Sequence, residues 1–390
     1  MCTGKENDAN DAENRDEADS AGGNGDCLRD SLRLSMVPGV GPRIRQSLLE
    51  RFGSPDEVFA ASAGELREVS GVGPKLAHHI LTAREMLDVE REIGVCRDNG
   101  IEIITDSDDK FPSILREIHD PPSVLFLRGE LKEQDAMAVG IVGTRHATQY
   151  GLRQARRLAG SLARAGVTVV SGLARGVDAA AHRGALEAGG RTIGVLASGV
   201  LNIYPPEHDE LAEEITASGA LVSETPPNTQ PMAGMFPQRN RLISGLSLGV
   251  IIVEAAKRSG ALITARLAGE QGREVFAVPG HVDSRTSQGC HQLLRDGAKL
   301  VETIDDVLEE LGPLADAAGG EETPEVRHPA ELMLNDMEQQ VLSAIKSEAT
   351  TIDEIVAASG VPVHRVLSTI SVLEMRRLVR RLSGTTVARK

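Results

Sequence analysis

From about residue 135 to Gly312, short apolar runs alternate with amphipathic helical stretches. The runs read AVGIVG, TVVSG, TIGVLASG, ALVSE, GVIIVEA, EVFAVPG and AKLVE, and segments such as LRQARRLAGSLARAG and GVDAAAHRGALEAG fall between them. A strand with one wet face would carry a polar residue at every second position. These runs are apolar nearly throughout, so both faces need cover, which is the pattern of a parallel sheet with helices on each side. The predicted fold class is α/β, with a doubly wound, mostly parallel Rossmann-like sheet. Aromatic residues make up 2% of the chain and tryptophan is absent. The core is therefore expected to be built from Ala, Val, Leu and Ile.

The flanks read differently. Residues 1–27 are rich in Asp, Glu, Asn and Gly with almost no apolar content, so they are expected to be a disordered acidic tail. Residues 28–92 carry helical periodicity interrupted by two similar glycine turns, predicting a small all-α domain. Residues 93–311 form the Rossmann-like domain, preceded by a strand extension containing GIEIIT and SVLFLRG. The Pro/Gly/Ala/Glu-rich stretch 312–330 reads as a linker. In 331–390, three helical stretches near NDMEQQVLSAIKS, TIDEIVAASG and PVHRVLSTISVLEMRRL precede the strand-like VRRLSGTTVARK. Three helices followed by a hairpin give the order of a winged-helix domain.

The formal net charge of −15 argues at first against a polyanionic partner. Much of the acid lies in the tail, where residues 1–26 hold eight Asp/Glu against two Lys/Arg, and the whole chain has only eight lysines. An acidic, lysine-poor surface suits solubility at high salt, and drift toward arginine in a GC-rich genome produces the same bias. Neither excludes a local basic site. No apolar run is long enough to span a bilayer, and the polar start MCTGKENDAN is unlike a secretory signal. Cys2, Cys27, Cys96 and Cys290 lie far apart, so no zinc site and no disulfide framework is indicated. The expectation is a reduced, cytoplasmic protein.

Two heptapeptides in the N-terminal part are near copies: Val37-Pro38-Gly39-Val40-Gly41-Pro42-Arg43 and Val69-Ser70-Gly71-Val72-Gly73-Pro74-Lys75. Glycine permits the tight turn, and proline suits the first helical position, where its missing N–H costs nothing. The amides at such a helix start can hold a phosphate. This is the helix-hairpin-helix pattern. Gly39, Gly41, Arg43, Gly71, Gly73 and Lys75 are candidate backbone-phosphate contacts, and the alternative is that the hairpins serve only as packing turns.

In an open parallel sheet, ligands lie beyond the carboxyl ends of the strands. The segments following the predicted strands contain Gly143-Thr144-Arg145, Gly172-Leu173-Ala174-Arg175-Gly176, Ser198-Gly199, Phe236-Pro237-Gln238-Arg239-Asn240-Arg241 and Lys257-Arg258-Ser259-Gly260. They offer glycine-rich amides, hydroxyls and arginines, a combination suited to several phosphates. They lack the convergent His, Cys or carboxylate pairs of a catalytic or metal centre. Glu224 and Glu254 at strand ends read more readily as an arginine partner or helix cap than as general bases. The first turn is G-I-V-G-T-R rather than G-x-G-x-x-G, and the G-x-x-x-x-G-K-[ST] loop is absent. No catalytic residue, cofactor or metal is expected.

At this point the chain resembles the DprA (Smf) family from about residue 105 to 311. The matching stretches are DDKFPSILREIHDPPSVLFLRG, GIVGTRHATQYG, VVSGLARGVDAAAHRGAL, YPPEHDEL, LVSETPPNTQPMAGMFPQRNRLISGLS, VIIVEAAKRSGALITARLAGEQGREVFAVPG and GCHQLLRDGAKLV. The resemblance implies a single-stranded-DNA-binding protein that works as a homodimer, protects incoming strands and assists loading of a RecA-type recombinase in natural transformation. It assigns DNA contact to Gly143, Thr144, Arg145, Gly172, Arg175, Gly176, Phe236, Arg239, Asn240 and Arg241, with Lys257 added from the loop reading. It places the dimer and recombinase surface at Cys290–Leu300, with His291 and Leu300 as candidates. The chain departs from the family where Pro231-Met232-Ala233-Gly234-Met235 lacks the basic residue often found before F-P-x-R-N-R. It departs again where Leu373-Glu374-Met375-Arg376 lacks a winged-helix glycine.

The expected mode is phosphate-led and tolerant of sequence, with Phe236 as the one aromatic residue in a motif loop. Arg145→Ala and Arg239→Ala are expected to weaken strand binding without unfolding, while Arg241 is expected to pair with Glu254 or Glu224. Two rivals stand beside this reading. A phosphoribohydrolase-type enzyme would need an acidic base and paired glycines where Lys257–Thr264 stands. A winged-helix transcription regulator would use the last helix with Arg376, Arg377, Arg380, Arg381 and Arg389.

Overall fold

A computed structural model of the chain describes residues 26–318, 336–345, 350–375, 378–381 and 386–389. The acidic tail up to residue 25 and most of the 312–330 stretch lie outside the described residues. Nine strands form one sheet: β1 (Glu102–Thr105), β2 (Val124–Gly129), β3 (Ala138–Gly143), β4 (Thr168–Ser171), β5 (Thr192–Val195), β6 (Ala220–Ser223), β7 (Gly249–Val253), β8 (Glu274–Ala277) and β9 (Lys299–Leu300). Their order is β1-β2-β6-β5-β4-β3-β7-β8-β9. β1–β2 and β2–β6 are antiparallel, and β5–β6, β3–β4, β3–β7, β7–β8 and β8–β9 are parallel. The mostly parallel sheet expected from the unbroken apolar runs is present.

The chain forms two compact units. One comprises the chain up to Leu131 with Ser171–Ala174 and Ile193–Leu246, and the other Lys132–Val170, Arg175–Thr192 and Ser247 onward. In the first, the duplicated glycine turns have become structural twins. Gly39 and Gly71 sit at φ +98° and +86°, a region closed to most side chains. A Cβ at Gly39 would lie 3.3 Å from Leu76 Cδ1, and one at Gly71 would lie 3.5 Å from Ile44 Cγ1. The two hairpins thus contact each other reciprocally, over a core that includes Leu34, Leu48, Leu66 and Ile80.

The second unit holds the centre of the sheet. Strands β3, β4 and β7 are buried along almost their whole length, as continuous apolar runs require. Helices Gln149–Arg164 and Val177–Glu187 pack closely because small residues meet at their crossing. A Cβ at Gly184 would strike the Arg156 carbonyl. The C-terminal part contains helices Asp336–Ser343, Ile352–Ser359 and Val363–Met375. Three short strands follow the winged-helix plan: β10 (Thr350–Thr351), β11 (Val379–Arg381) and β12 (Thr386–Arg389), with β12 between the other two.

Three boundaries differ from the sequence reading. Residues 26–36 are helical, so helix already occupies the end of the expected tail. Helix Val89–Asp98 crosses the expected boundary at 92, with Asp88 accepting the Arg91 amide at its start. Helix Ile304–Ala318 runs past 312, continued by the alanine-rich LADAA segment. No described helix is long and apolar enough to cross a membrane.

Candidate nucleic-acid interface

Within the second unit, β4, β3 and β7 are parallel neighbours, so their carboxyl ends share one rim. Each is followed by exposed cations: Arg145 after β3, Arg175 in the loop after β4, and Lys257 and Arg258 after β7. Gly143 ends β3 where a Cβ would run into the Val253 carbonyl and the Val177 side chain. Gly176, at φ +77°, starts helix Val177–Glu187, and a Cβ there would meet the carbonyls of Thr144 and Arg145. These glycines bring the two turns into direct backbone contact. Thr144 is less available than its motif suggests. Its amide donates to the Glu254 carbonyl (2.8 Å) and its carbonyl accepts from Val177 (3.3 Å).

Glu254 explains part of this rigidity. It is buried and sits at φ +53°, an uncommon backbone region for a residue with a side chain. Its carboxylate accepts from the Thr148 amide (2.8 Å) and hydroxyl (2.5 Å) at the start of helix Gln149–Arg164. A carboxylate at a helix N-terminus is electrostatically favourable. Glu254 is therefore a cap, the reading preferred from sequence.

The first unit overturns the expected placement of two arginines. Helix Met235–Gly245 carries Arg239 and Arg241 inward, leaving them 6% and 5% exposed. Arg239 Nη1 donates to the Gly172 carbonyl (2.7 Å) and to the Val195 carbonyl, at the ends of β4 and β5. A Cβ at Gly172 would press on the Arg239 guanidinium and displace it. Arg241 Nη2 donates to Glu224 (2.6 Å), and its Nε lies 3.4 Å from Asp120 Oδ2. A guanidinium taken out of water must find acceptors, and these two have found them in strand-end carbonyls and carboxylates. Glu224, rather than Glu254, is the partner of Arg241. Burial pushes the Glu224 carboxyl above its ordinary range, with Arg241 opposing the shift. Both arginines are buried and bonded inside the protein, so Arg239→Ala, expected from sequence to affect strand binding alone, is here expected to cost stability as well.

Phe236 and Asn240 on the same helix are half-buried. Phe236 packs edge-to-face with Tyr204, the ring centroids 5.8 Å apart and the planes at 62°. The sequence reading passed over Tyr204, although the scarcity of aromatic residues made a tyrosine in YPPEH conspicuous. It also passed over His208, which is buried and bonds through Nδ1 to the Leu173 carbonyl (2.8 Å), and Asp120. Leu173 is the second non-glycine residue at positive φ, +53°. YPPEH is thus tied to the carboxyl end of β4, and helix Met235–Gly245 to those of β4 and β5.

The glycine hairpins remain open to solvent. Gly39, Gly41, Arg43, Gly71, Gly73 and Lys75 are exposed. Helices Pro42–Phe52 and Pro74–Met86 begin at Gly41 and Gly73 with no side-chain cap, and a Cβ at either glycine would meet nothing within 4 Å. Arg45 is different: it is buried against Asp106, with bonds of 2.6 and 3.2 Å. At the other end of the chain, half-buried His291 contacts the Gly280 carbonyl through Nε2 (3.1 Å), while Leu300 on edge strand β9 is exposed. Arg380 is exposed, and Arg376 and Arg377 lie outside the described residues.

Fold and rim together define a mostly parallel α/β protein with helix-hairpin-helix and winged-helix modules. Comparison with known families gives the same three parts. The family described as DNA recombination-mediator protein A matches residues 102–312, the DprA winged-helix domain 324–385, and a SAM-like helix-hairpin-helix tandem 31–84. The chain is 34% identical to the protein Smf of Synechocystis sp. over 92% of its length and 98% of the relative's. It is 45% identical to the DNA processing protein DprA of Bacillus subtilis over 57% of its own length and 75% of that protein's. The chain belongs to the DprA/Smf family. Among solved structures it is similar to DNA processing protein A of Streptococcus pneumoniae, with TM-score 0.63 and 35% identity, covering 72% of this chain and 95% of that one. It also resembles the Helicobacter pylori protein, with TM-score 0.50 and 32% identity, covering 55% and 96%. That structure concerns the H. pylori protein's own single-stranded-DNA binding mode.

Proposed function

We propose that this chain binds single-stranded DNA as a recombination mediator and performs no covalent chemistry on it. The observation that carries the reading is the row of exposed cations after three neighbouring parallel strands, Arg145, Arg175 and Lys257, in a chain of net charge −15. Cations grouped on one rim attract a polyanion locally even when the whole molecule repels it. Contacts of this kind hold phosphate and carry no base code. Gly143, Gly176 and the turns they permit set the cations' backbone positions, and Phe236 and Asn240 supply the remaining contacts expected of the family. Thr144 contributes through its hydroxyl proton, since its amide and carbonyl are engaged and its hydroxyl oxygen accepts from the His146 amide (3.2 Å). The H. pylori relative's single-stranded-DNA binding supports the choice of ligand.

In this reading residues 28–92, 93–311 and 331–390 act as three modules. The uncapped helix starts at Gly41 and Gly73, with Arg43 and Lys75, add sequence-independent backbone contacts. The protein works in the cytoplasm as a homodimer, with His291 and Leu300 at the surface used for self-association and for a RecA-type recombinase during natural transformation. Strand binding measured across a salt series tests the central claim. The affinity should fall with a log–log slope of roughly 0.7 for each phosphate neutralised. A flat titration, or preference for duplex over single strands in competition, would remove it. Release of free base from nucleoside monophosphates would show instead that the chain is an enzyme.

A further inference from the structure

The chain has six phenylalanines, two tyrosines and no tryptophan. Phe59, Phe111, Phe126 and Phe276 are buried in the cores, and Phe52, Tyr150 and Phe236 are half-buried. Tyr150 is further held by its hydroxyl, which donates to the Pro279 carbonyl (2.7 Å). Tyr204 alone among the eight is exposed, at 38%. Its neighbour is Phe236, the one aromatic residue of the site motif. In an edge-to-face pair, neither ring covers both faces of the other, so each keeps at least one face that Phe236 or Tyr204 does not occupy.

The backbone around the pair is held by buried side chains on both sides. Four residues after Tyr204, His208 is buried on the carbonyl of Leu173. Three residues after Phe236, Arg239 is buried on the carbonyls of Gly172 and Val195. Two segments distant in sequence are therefore both anchored at the end of β4, Arg239 reaching the end of β5 as well, and each presents an aromatic ring beside its anchor. Exposing a large ring on a rigid mount costs hydration free energy without serving the core. A planar π-faced ligand offsets that cost, and every nucleobase has such a face.

Resting on the single-strand reading above, we infer that Tyr204 is a second stacking residue, forming with Phe236 a composite seat for a nucleobase, and that His208 is the positioning residue for this seat. The role is sequence-tolerant, because stacking does not read base edges. No bond is made or broken.

The lack of tryptophan gives a direct test. In a full-length Tyr150→Phe variant, Tyr204 is the sole tyrosine, so ultraviolet-excited tyrosine emission reports on that ring alone. Titration with a thymidine oligonucleotide, with affinity measured separately by anisotropy of a labelled strand, should quench the emission as the strand saturates. Tyr204→Ala should weaken binding of that oligonucleotide about fivefold to a hundredfold, and Tyr204→Phe should restore it. On an abasic strand of equal length, the Tyr204→Ala effect should vanish. Strand binding with unchanged emission and an unaffected Tyr204→Ala variant would overturn the seat and leave the proposed function standing. Equal loss on thymidine and abasic strands would show a merely structural ring and overturn it as well. No strand binding by the unaltered protein would overturn both.

Discussion

Two sets of arginines in this chain look alike in sequence and behave as opposites in the fold. Arg145 and Arg175 follow β3 and β4 in glycine-rich turns and are exposed. Arg239 and Arg241 also lie in a motif at the strand ends, yet both are buried. The backbone around them makes the difference. In the turns held by Gly143 and Gly176, Arg145 and Arg175 lie at the surface. Helix Met235–Gly245, buried from Arg241 to Gly245, has an interior side that accepts one. An arginine in a ligand-binding motif can thus shape the rim without touching what the rim holds.

The comparison breaks most visibly at Arg241. Arg241→Ala should cost about 3 kcal/mol of stability, because the half-buried carboxylates of Glu224 and Asp120 lose a charged donor. Urea unfolding would check this, and a near-neutral result would mean the pair is not structural. Arg239→Ala comes next, at about 2 kcal/mol, since two buried carbonyls lose their donor. Any loss of strand affinity in this variant should follow its unfolded fraction rather than a missing phosphate contact, as parallel melting and binding curves would reveal.

The exposed set should respond in the opposite way. Arg175→Ala, and likewise Arg145→Ala or Lys257→Ala, should shift stability by no more than about 0.5 kcal/mol. Each should lower the salt slope of strand binding by roughly 0.7. A variant that melts early with an unchanged slope would place its residue with the buried set.

The smallest effect concerns pH. Burial raises the Glu224 carboxyl above its ordinary value of 4.5. The native state then holds a proton to higher pH than the unfolded chain does, so the unfolded state binds fewer protons in that window. Stability should fall as pH rises from about 4.5 through the folded value. Glu224→Gln should flatten that portion of the stability curve. An unchanged curve would assign the slope to another group.

Much of the architecture was readable before the structure. Unbroken apolar runs announced strands covered on both faces, and β3, β4 and β7 are such strands. The repeated G-x-G-P turns announced paired hairpins, and Gly39 and Gly71 adopt the positive φ that only glycine adopts readily. The site was readable as a list of motifs but not as a surface. Arg239 follows Phe236 by three residues, and nothing local says that one reaches the Gly172 carbonyl while the other meets Tyr204. Helix Ile304–Ala318 overran its expected end because an alanine-rich segment with acidic neighbours reads equally well as helix or linker.

By itself, the sequence determined which segments are strands, which are helices and where glycine must turn the chain. Those choices depend on near neighbours: the spacing of apolar residues, and backbone angles closed to a side chain. Tertiary structure alone decided which arginines face solvent and which brace the interior. Arg241 meets Asp120 and Glu224 from distant parts of the chain. A charge's environment is set by whatever the fold brings within a few ångströms, and no local pattern encodes that distance.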